Sequence, residues 1–599
     1  MGDIGDSDRT TIINEISELL PTLQQDPSPV TALIETLISS EKFDFDRVLA
    51  IEPAIDFAAG LASSSPPINS ITLILLSKAK HGRGYSEIVA GRPEMVAALI
   101  RLWLATPETA VADKAQEVLL GLLQAHHVYL AEENDEQRQM FYEGLMWRRF
   151  VRDRDIYGSI FALCSLSTAG KEGQPNKRQK TVAQARLLDL ILQIDCDDLR
   201  TSQFPDIEEQ YGVRNGGLLD FAALHMVDYK DDVLMHMTLI DFYTKYLCST
   251  FHSKSIVDFP LISSKALDFL VEKGLHSRSM SYYLQSDNYS HDSTWLYDSS
   301  ADYLSTYCFN YPTHLLDSSP PLVDTIHTRL RNILDDVSSS QWAQNLAPTH
   351  DLRVLVSLPR IALLQNMDRS SPLFFVRPQP ANAVAFGTLA AIFHGDTVSH
   401  RSNLQNVDEN ISQEAGAARA LYFRYLDNFP QLWTRVIRAA ETIALKDTAL
   451  AALDLVGAVI TARWAPLPTN SETNNFNSQF SLPSEPELSQ KCHSNRPLPP
   501  SGITAVLETP ALEAVIAYLL RPAQSFSNLV GGRGDTESAA YKVAVRKYEV
   551  LEMLHRELLG VANSAQQLGE IVAAVKKRLG QGPMGGSSDV GGNVGTMEL

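Results

Sequence analysis

TPETAVADKAQEVLLGLLQA, residues 106–125, sets Val111, Ala115, Val118, Leu119 and Leu122 along one stripe. Apolar positions at that spacing fall on one face of a 3.6-residue helix, whereas a half-buried strand would alternate every second residue. The same outline recurs in PINSITLILLSKA (67–79), RDRDIYGSIFALCSL (152–166), YKDDVLMHMTLIDFYTKYL (229–247) and LKDTALAALDLVGAVITA (445–462). The stripes are Ile156, Ile160, Phe161, Leu163 and Cys164 in the second of these; Val233, Leu234, Met237, Ile240 and Leu247 in the third; and Ala449, Leu450, Leu453, Leu455 and Val456 in the last. Strand-like alternation is scarce, and the one Asn-Gly hairpin signal, Asn215-Gly216, runs into a helical pattern.

Such segments repeat at a period. Reading Asn69, Asp113, Asp155 and Asp232 as turn residues gives spacings of 44, 42 and 77, the last close to two repeats. Helix–turn–helix repeats of the HEAT and armadillo class run roughly 40–47 residues. An Asp in the turn accepts backbone N–H bonds and complements the positive end of the next helix. The small side chains of Ala449, Ala451 and Ala452 let helices approach closely. The expected fold is all-α, a HEAT/armadillo-like α-solenoid built as a superhelical stack of antiparallel helix pairs. A solenoid also answers the length: 599 residues exceed one compact core, and a stack grows by adding units.

Composition divides the chain further. Residues 168–180, TAGKEGQPNKRQK, read as a loop, and 277–319, rich in Ser, Tyr and Asp, read as irregular helices or a long loop. Pro, Ser and Asn crowd 465–502, which predicts disorder, as does the Gly-rich tail 580–599. The helical body then covers 1–464 and a C-terminal helical block 503–579, where YKVAVRKYEVLEMLHREL and AQQLGEIVAAVKKRLG end on basic residues and Gly580, a fitting helix stop.

A formal net charge of −20 disfavours nucleic acid as a partner, since phosphate binding needs a basic face. Five cysteines (Cys164, Cys196, Cys248, Cys308, Cys492) lie far apart without a CxxC pair, which fits thiols in a reducing compartment. The first residues, MGDIGDSDRT, lack the basic and apolar regions of a secretory signal, and Asp6 stands where a myristoylation pattern needs Ser or Thr. No apolar run reaches membrane-spanning length, so a protein of the cytoplasm, the nucleus or both is expected, without membrane attachment.

No catalytic constellation emerges, and neither enzyme activity nor a cofactor is expected. GGRGD at 531–535 lacks the Gly-Lys-Ser/Thr ending of a phosphate loop. His126-His127 and the pair His225 and His236 lack metal-ligand spacing. NKRQK at 176–180 is the compact basic run, read as a solvated loop between repeats, with a weak nuclear-localisation or phosphate-binding signal as the alternative. The densest charge lies in WRRFVRDRDIY, 147–157, where Arg148, Arg149, Arg152, Asp153, Arg154 and Asp155 crowd an inter-helix turn. Bidentate Arg–carboxylate pairs there serve either a ladder fixing repeat stacking or a partner contact.

The stretch MWRRFVRDRDIYGSIFALCSLSTAGKEGQPNKRQKTVAQARLLDLILQID, 146–195, resembles fungal proteins of the HEAT-repeat proteasome assembly chaperone family, which is also labelled as a DNA mismatch repair protein with an N-terminal helical domain. The resemblance implies a chaperone of the proteasome regulatory-particle base that cradles the C-terminal domain of one AAA-ATPase subunit and needs no cofactor of its own. The alternative label implies a nuclear adaptor in DNA repair or transport. No functional residues carry over, and the 465–502 insertion and Gly-rich tail have no counterpart in the family pattern.

Overall fold

The structure, a computed structural model, describes residues 11–12, 15–16, 28–38, 44–51, 54–125, 144–168, 175–194, 197–248, 264–285, 291–318, 322–337, 348–365, 371–378, 382–395, 405–468, 480–492, 497–522, 537–561 and 566–583. All regular structure among them is helical. The chain forms two units, Met1–Ser249 and Thr250–Leu599, where the sequence predicts one body to residue 464.

In the first unit, three helix pairs stack in two layers. They are α1 (Phe57–Ala62) with α2 (Pro66–Leu76), α4 (Pro93–Ala105) with α5 (Thr109–Gln124), and α7 (Arg154–Cys164) with α8 (Lys177–Gln193). α1, α4 and α7 pack in that order as one layer, and α2, α5 and α8 as the other. Two further helices, α3 (Arg83–Ala90) and α6 (Leu145–Arg152), pack on each other, and α9 (Val233–Cys248) closes on α8. This is the solenoid arrangement, in which each pair buries its apolar stripe on the next.

Local chemistry sets the helix starts. Pro66 and Pro93 occupy first helical positions, where their missing N–H costs nothing. Asp56 caps α1 through the Ala59 amide at 3.0 Å, and Asn176 with Gln179 forms a capping box on α8. From the start of α2 to the start of α5 is 43 residues, one repeat. From α5 to α8 is 68, because the chain containing α6 intervenes.

The turn alignment read from sequence is corrected at three of its four residues. Asn69 lies within α2 and is buried; its Nδ2 donates to the carbonyls of Gly60, Leu61 and Ser63 at 2.9, 3.2 and 3.1 Å. It latches α2 to the end of α1. Asp113 is an exposed residue within α5, and Asp155 follows the true cap of α7, Asp153. Asp232 does cap α9, accepting from the Met235 amide at 3.0 Å. The α9 stripe is also rotated: Leu234 is 71% exposed, and Met235, Leu239, Ile240, Phe242 and Tyr243 face the core.

The second unit has a spine. α12 (His291–Asn310), α14 (Thr349–Ser357), α15 (Ala383–His394), α18 (Lys446–Ile460) and α21 (Ala539–Val561) each pack on the next. Beside it run α10 (Lys265–Glu272) and α11 (Leu275–Leu284), α13 (Leu322–Asp336), α16 (Gln405–Asn428), α17 (Leu432–Glu441), α19 (Glu485–Lys491), α20 (Ala517–Leu520) and α22 (Gln566–Leu579). α15 and α18 pack closely on each other, and both carry buried small residues, Ala385 and Ala390 on one and Ala449 and Ala452 on the other.

Three sequence expectations change in this unit. Residues 277–319 are regular helix where described: α12 alone runs 20 residues, and Tyr303, Tyr307 and Tyr311 of that stretch are fully buried. Within 465–502, predicted to be disordered, residues 480–492 and 497–502 are ordered and include α19. Residues 503–579 are no separate block, since α21 packs on α18 and continues the spine. The tail expectation falls outside the described residues beyond Pro583; before it, Arg578 Nη1 donates to the Gly582 carbonyl at 2.7 Å.

Two buried histidines give this unit a pH response. His276 Nδ1 bonds the Tyr303 hydroxyl at 2.8 Å, while His327 Nε2 is buried with no hydrogen-bond partner. Burial lowers both, each to about 4, with His314 adding a smaller push at His276. The folded values lie below the unfolded value of 6.5, so the unfolded chain binds more protons between pH 6.5 and 4. Stability conferred by the neutral rings is therefore present above that window and lost as pH falls through it. Urea midpoints should drop on acidification, each ring costing on the order of 2 kcal/mol by pH 4.5. His327→Leu should flatten the slope and raise stability, and an unchanged slope would assign the acid response elsewhere.

Candidate functional site

The charged turn at 147–157 is the first candidate. Its residues come from the end of α6 and the start of α7, joined at Asp153. Asp153 does two jobs. One carboxylate oxygen accepts from the Asp155 and Ile156 amides at 3.2 and 3.4 Å, and the other pairs with Arg149 Nη1 at 2.8 Å. Arg149 Nε then donates to the Ala90 carbonyl, at the end of α3, at 2.9 Å.

Arg154 reaches the other way. Its guanidinium makes a bidentate pair with Asp206, in the first turn of the helix Pro205–Gln210, and lies over the Phe204 ring. The pair holds the Asp206 carboxyl below the usual carboxylate range. Arg152 stands 3.8 Å from Asp198, whose other oxygen takes the Trp147 indole N–H at 2.9 Å. Arg148 and Asp155 point to solvent. Arg149, Arg152, Asp153 and Arg154 thus bind neighbouring structure, and the exposed Arg148, Arg152, Arg154 and Asp155 form a charged outer edge.

NKRQK does not form a solvated loop. Asn176 is the cap of α8 and the next four residues are its first turn. Lys177 pairs with Asp231 at 3.0 Å, and Lys180 is fully buried, donating to the Ala162 and Ser165 carbonyls at 2.6 and 2.8 Å. His236 is a core residue against the Tyr229 ring, and His225 is exposed. His126-His127 and 531–535 lie outside the described residues. Among the described residues no group of three or more His, Cys, Asp or Glu is placed to hold a metal. No described helix is long and apolar enough to cross a membrane. Cys164 is buried at the end of α7, and burial pushes its thiol up to about 12, so it is a packing residue and not a nucleophile.

Sequence reasoning missed two features of the second unit. The first is a pin. Arg419 on α16 makes a bidentate pair with Glu485, at 2.8 and 2.6 Å, and donates to the carbonyls of Leu498 and Pro499, both at 2.8 Å. Arg424 adds a bond to the Lys491 carbonyl at 2.7 Å. Gly502 then passes so close to α18 that a Cβ there would meet the Val459 carbonyl oxygen at 1.9 Å.

The second is a small pocket with a cavity volume of about 80 Å³. The end of α17 supplies Ala440 and Glu441, the end of α20 supplies Tyr518 and Arg521, and α21 supplies Val543 and Lys547. Lys547 is 7% exposed; its Nζ donates to the Arg521 carbonyl at 2.8 Å and sits 4.0 Å above the Tyr518 ring. Burial, then the positive charges of Arg578 and Arg521, bring its amine down to about 7. The one signal in sequence was a lysine on the apolar side of YKVAVRKYEVL, which a long aliphatic stem alone would explain.

These geometries set three expectations. Arg149→Ala removes a part-buried ion pair and leaves the Ala90 carbonyl unmet, a loss of about 1–2 kcal/mol. Calorimetry should show a melting shift of roughly 2–6 °C. Arg154→Ala, at a solvated pair, should leave melting unchanged. Arg419→Met should release the 480–502 segment, so that limited proteolysis cuts there many times faster than in the native chain. Equal cutting rates would mean that the pin does not hold the segment.

Comparison with known proteins gives no family: no family model matches the chain, and no curated protein matches it. Among solved structures, the crystal complex of SYS-1/POP-1 is similar at 13% identity over 95% of this chain and 99% of that one, with a TM-score of 0.23. The crystal structure of SYS-1 alone is similar at 11% identity over 94% of this chain and 88% of that one, also with a TM-score of 0.23. Superposition that loose leaves the chain's own helix packing as the basis for its fold: an all-α, armadillo-like stack.

Proposed function

We propose that this chain is a protein-binding scaffold that chaperones assembly of the proteasome regulatory-particle base by cradling the C-terminal domain of an AAA-ATPase subunit. The observation that carries the binding role is the two-layer stack of the first unit, whose apolar stripes are spent between successive pairs, so that a partner would meet the exposed residues on the outside of its helices. The charge supports it. The chain is −20 overall, and several of its cations are drawn inward to carbonyl oxygens, which leaves an exterior more acidic than the composition suggests. An acidic exterior suits a basic protein surface and gives association that weakens with salt. The proteasomal assignment draws on the resemblance of 146–195.

The mechanism is steric. A bound stack holds one ATPase subassembly and delays its docking on the core particle, and nucleotide hydrolysis stays with the partner. No cofactor enters, and the cytoplasm, with the nucleus, is the compartment this reading implies. A nuclear adaptor in repair or transport has less support, because Lys180 of NKRQK is buried and Lys177 is paired.

Affinity purification of the tagged full chain, followed by mass spectrometry, checks the assignment. Proteasomal ATPase subunits should be recovered without core-particle subunits, and recovery should fall as salt rises. Recovery of import receptors or repair proteins alone would overturn it.

A further inference from the structure

Lys547 sits unusually for a lysine. It lies on the α21 face that also presents Val543 and Ala544, at the wall of a pocket whose apolar lining includes Ala440, Ile443, Pro522 and the Tyr518 ring and whose charged lining is Glu441 and Arg521. An ammonium carries three donors. Here one goes to the Arg521 carbonyl, and the ring lies beneath the nitrogen. No described carboxylate forms an ion pair with it. Glu441, the acidic group of the pocket, pairs with Arg521 at 3.3 Å. The charged groups that face the amine are Arg521 at the end of α20, Arg578 of α22 and Glu441 of α17, two positive against one negative. The ring contact favours the ammonium, but burial and the two guanidiniums outweigh it, and the free base is abundant at neutral pH.

We propose that Lys547 is a covalent capture site for small apolar aldehydes, which it binds as imines inside this pocket. The nitrogen lone pair adds to the carbonyl carbon, the C–N bond forms, and the carbonyl π electrons move to oxygen. Two protons pass in turn from nitrogen to that oxygen, the first giving the carbinolamine hydroxyl and the second releasing it as water while the C=N bond closes; amine and aldehyde give imine and water, with no oxidant or reductant. The alkyl walls and the Tyr518 ring take the hydrocarbon part. A neutral amine in a desolvated pocket is the arrangement by which lysines become nucleophiles.

The test uses the full chain, benzaldehyde as probe and cyanoborohydride to fix the imine, with peptide mapping of every lysine. At pH 7 exposed lysines are roughly a thousandth free base. Lys547 should therefore be labelled at least about tenfold faster than any other lysine side chain, even allowing for the lower nucleophilicity of a less basic amine. Its labelling should be half-maximal near pH 7, and the exposed lysines should rise only in the alkaline range. Val543→Phe, which fills the pocket from the same helix face, should slow labelling at Lys547 to the rate of the others. Lys547→Arg should abolish the fast adduct. Labelling of Lys547 no faster than exposed lysines overturns the proposal, because the native chain itself gives that reading. Fast labelling that survives Val543→Phe overturns it too, since the pocket would then not hold the aldehyde.

Discussion

The last carbonyls of a helix have no partner within the helix, and in a stack of helices many of them are pressed against a neighbour and away from water. This chain meets that constraint with side chains from neighbouring helices. Arg186 of α8 donates to the Trp103 and Thr106 carbonyls at the end of α4, at 2.8 and 2.9 Å. Lys180, from the same helix, serves the end of α7, and Gln184 bridges the Cys164 and Met226 carbonyls at 2.8 and 2.6 Å. Arg149 serves α3, and Arg360 binds the Ala391 and Ile392 carbonyls of α15 at 2.7 and 2.8 Å. Arg424 does the same for α19 and Lys547 for α20. A cation there also meets the negative end of the helix dipole.

The repetition of one device explains why the stack tolerates irregular repeats. Apolar stripes specify which faces meet, but they are non-directional and permit sliding. A guanidinium aimed at two particular carbonyls fixes the offset between neighbouring helices, so α6 and the residues around it can be inserted between the second and third pairs of the first unit without disturbing the layers. The device also separates Arg149 and Arg154, two residues that look equivalent in the sequence. Arg149 joins α6 to the end of α3, whereas Arg154 makes a solvated pair at the rim.

The helical class was legible because 3.6-residue periodicity is local, and the stripes of α5 and α7 were read residue for residue. The repeat register was not. Polar residues in the pattern read as turn markers, yet Asn69 is polar because three carbonyls of another helix end meet it inside the core. The same blindness to distant partners made α8's first turn look like a loop. Composition likewise made 465–502 look disordered, although Arg419 supplies from α16 what the segment lacks in apolar residues. Lys547 was invisible as a site for the opposite reason: its stem fits the apolar pattern, and the groups that make its nitrogen unusual arrive from three other helices. Sequence carries the period of a helix; it does not carry which side chain closes the end of which neighbour.

The 480–502 segment changes the thermodynamic character of the second unit. A pure stack of repeats behaves like a one-dimensional array, in which end units fray independently and unfolding spreads pair by pair. Here a chain leaving α18 is tied back to α16 through Arg419, and returns past α18 at Gly502 before α21 is laid on the spine. The last helices therefore cannot detach as a free end without also breaking contacts two helices deeper. Long-range closure of this kind trades the modular folding of an array for the all-or-none behaviour of a globule, and makes the C-terminal half of the spine a single cooperative block.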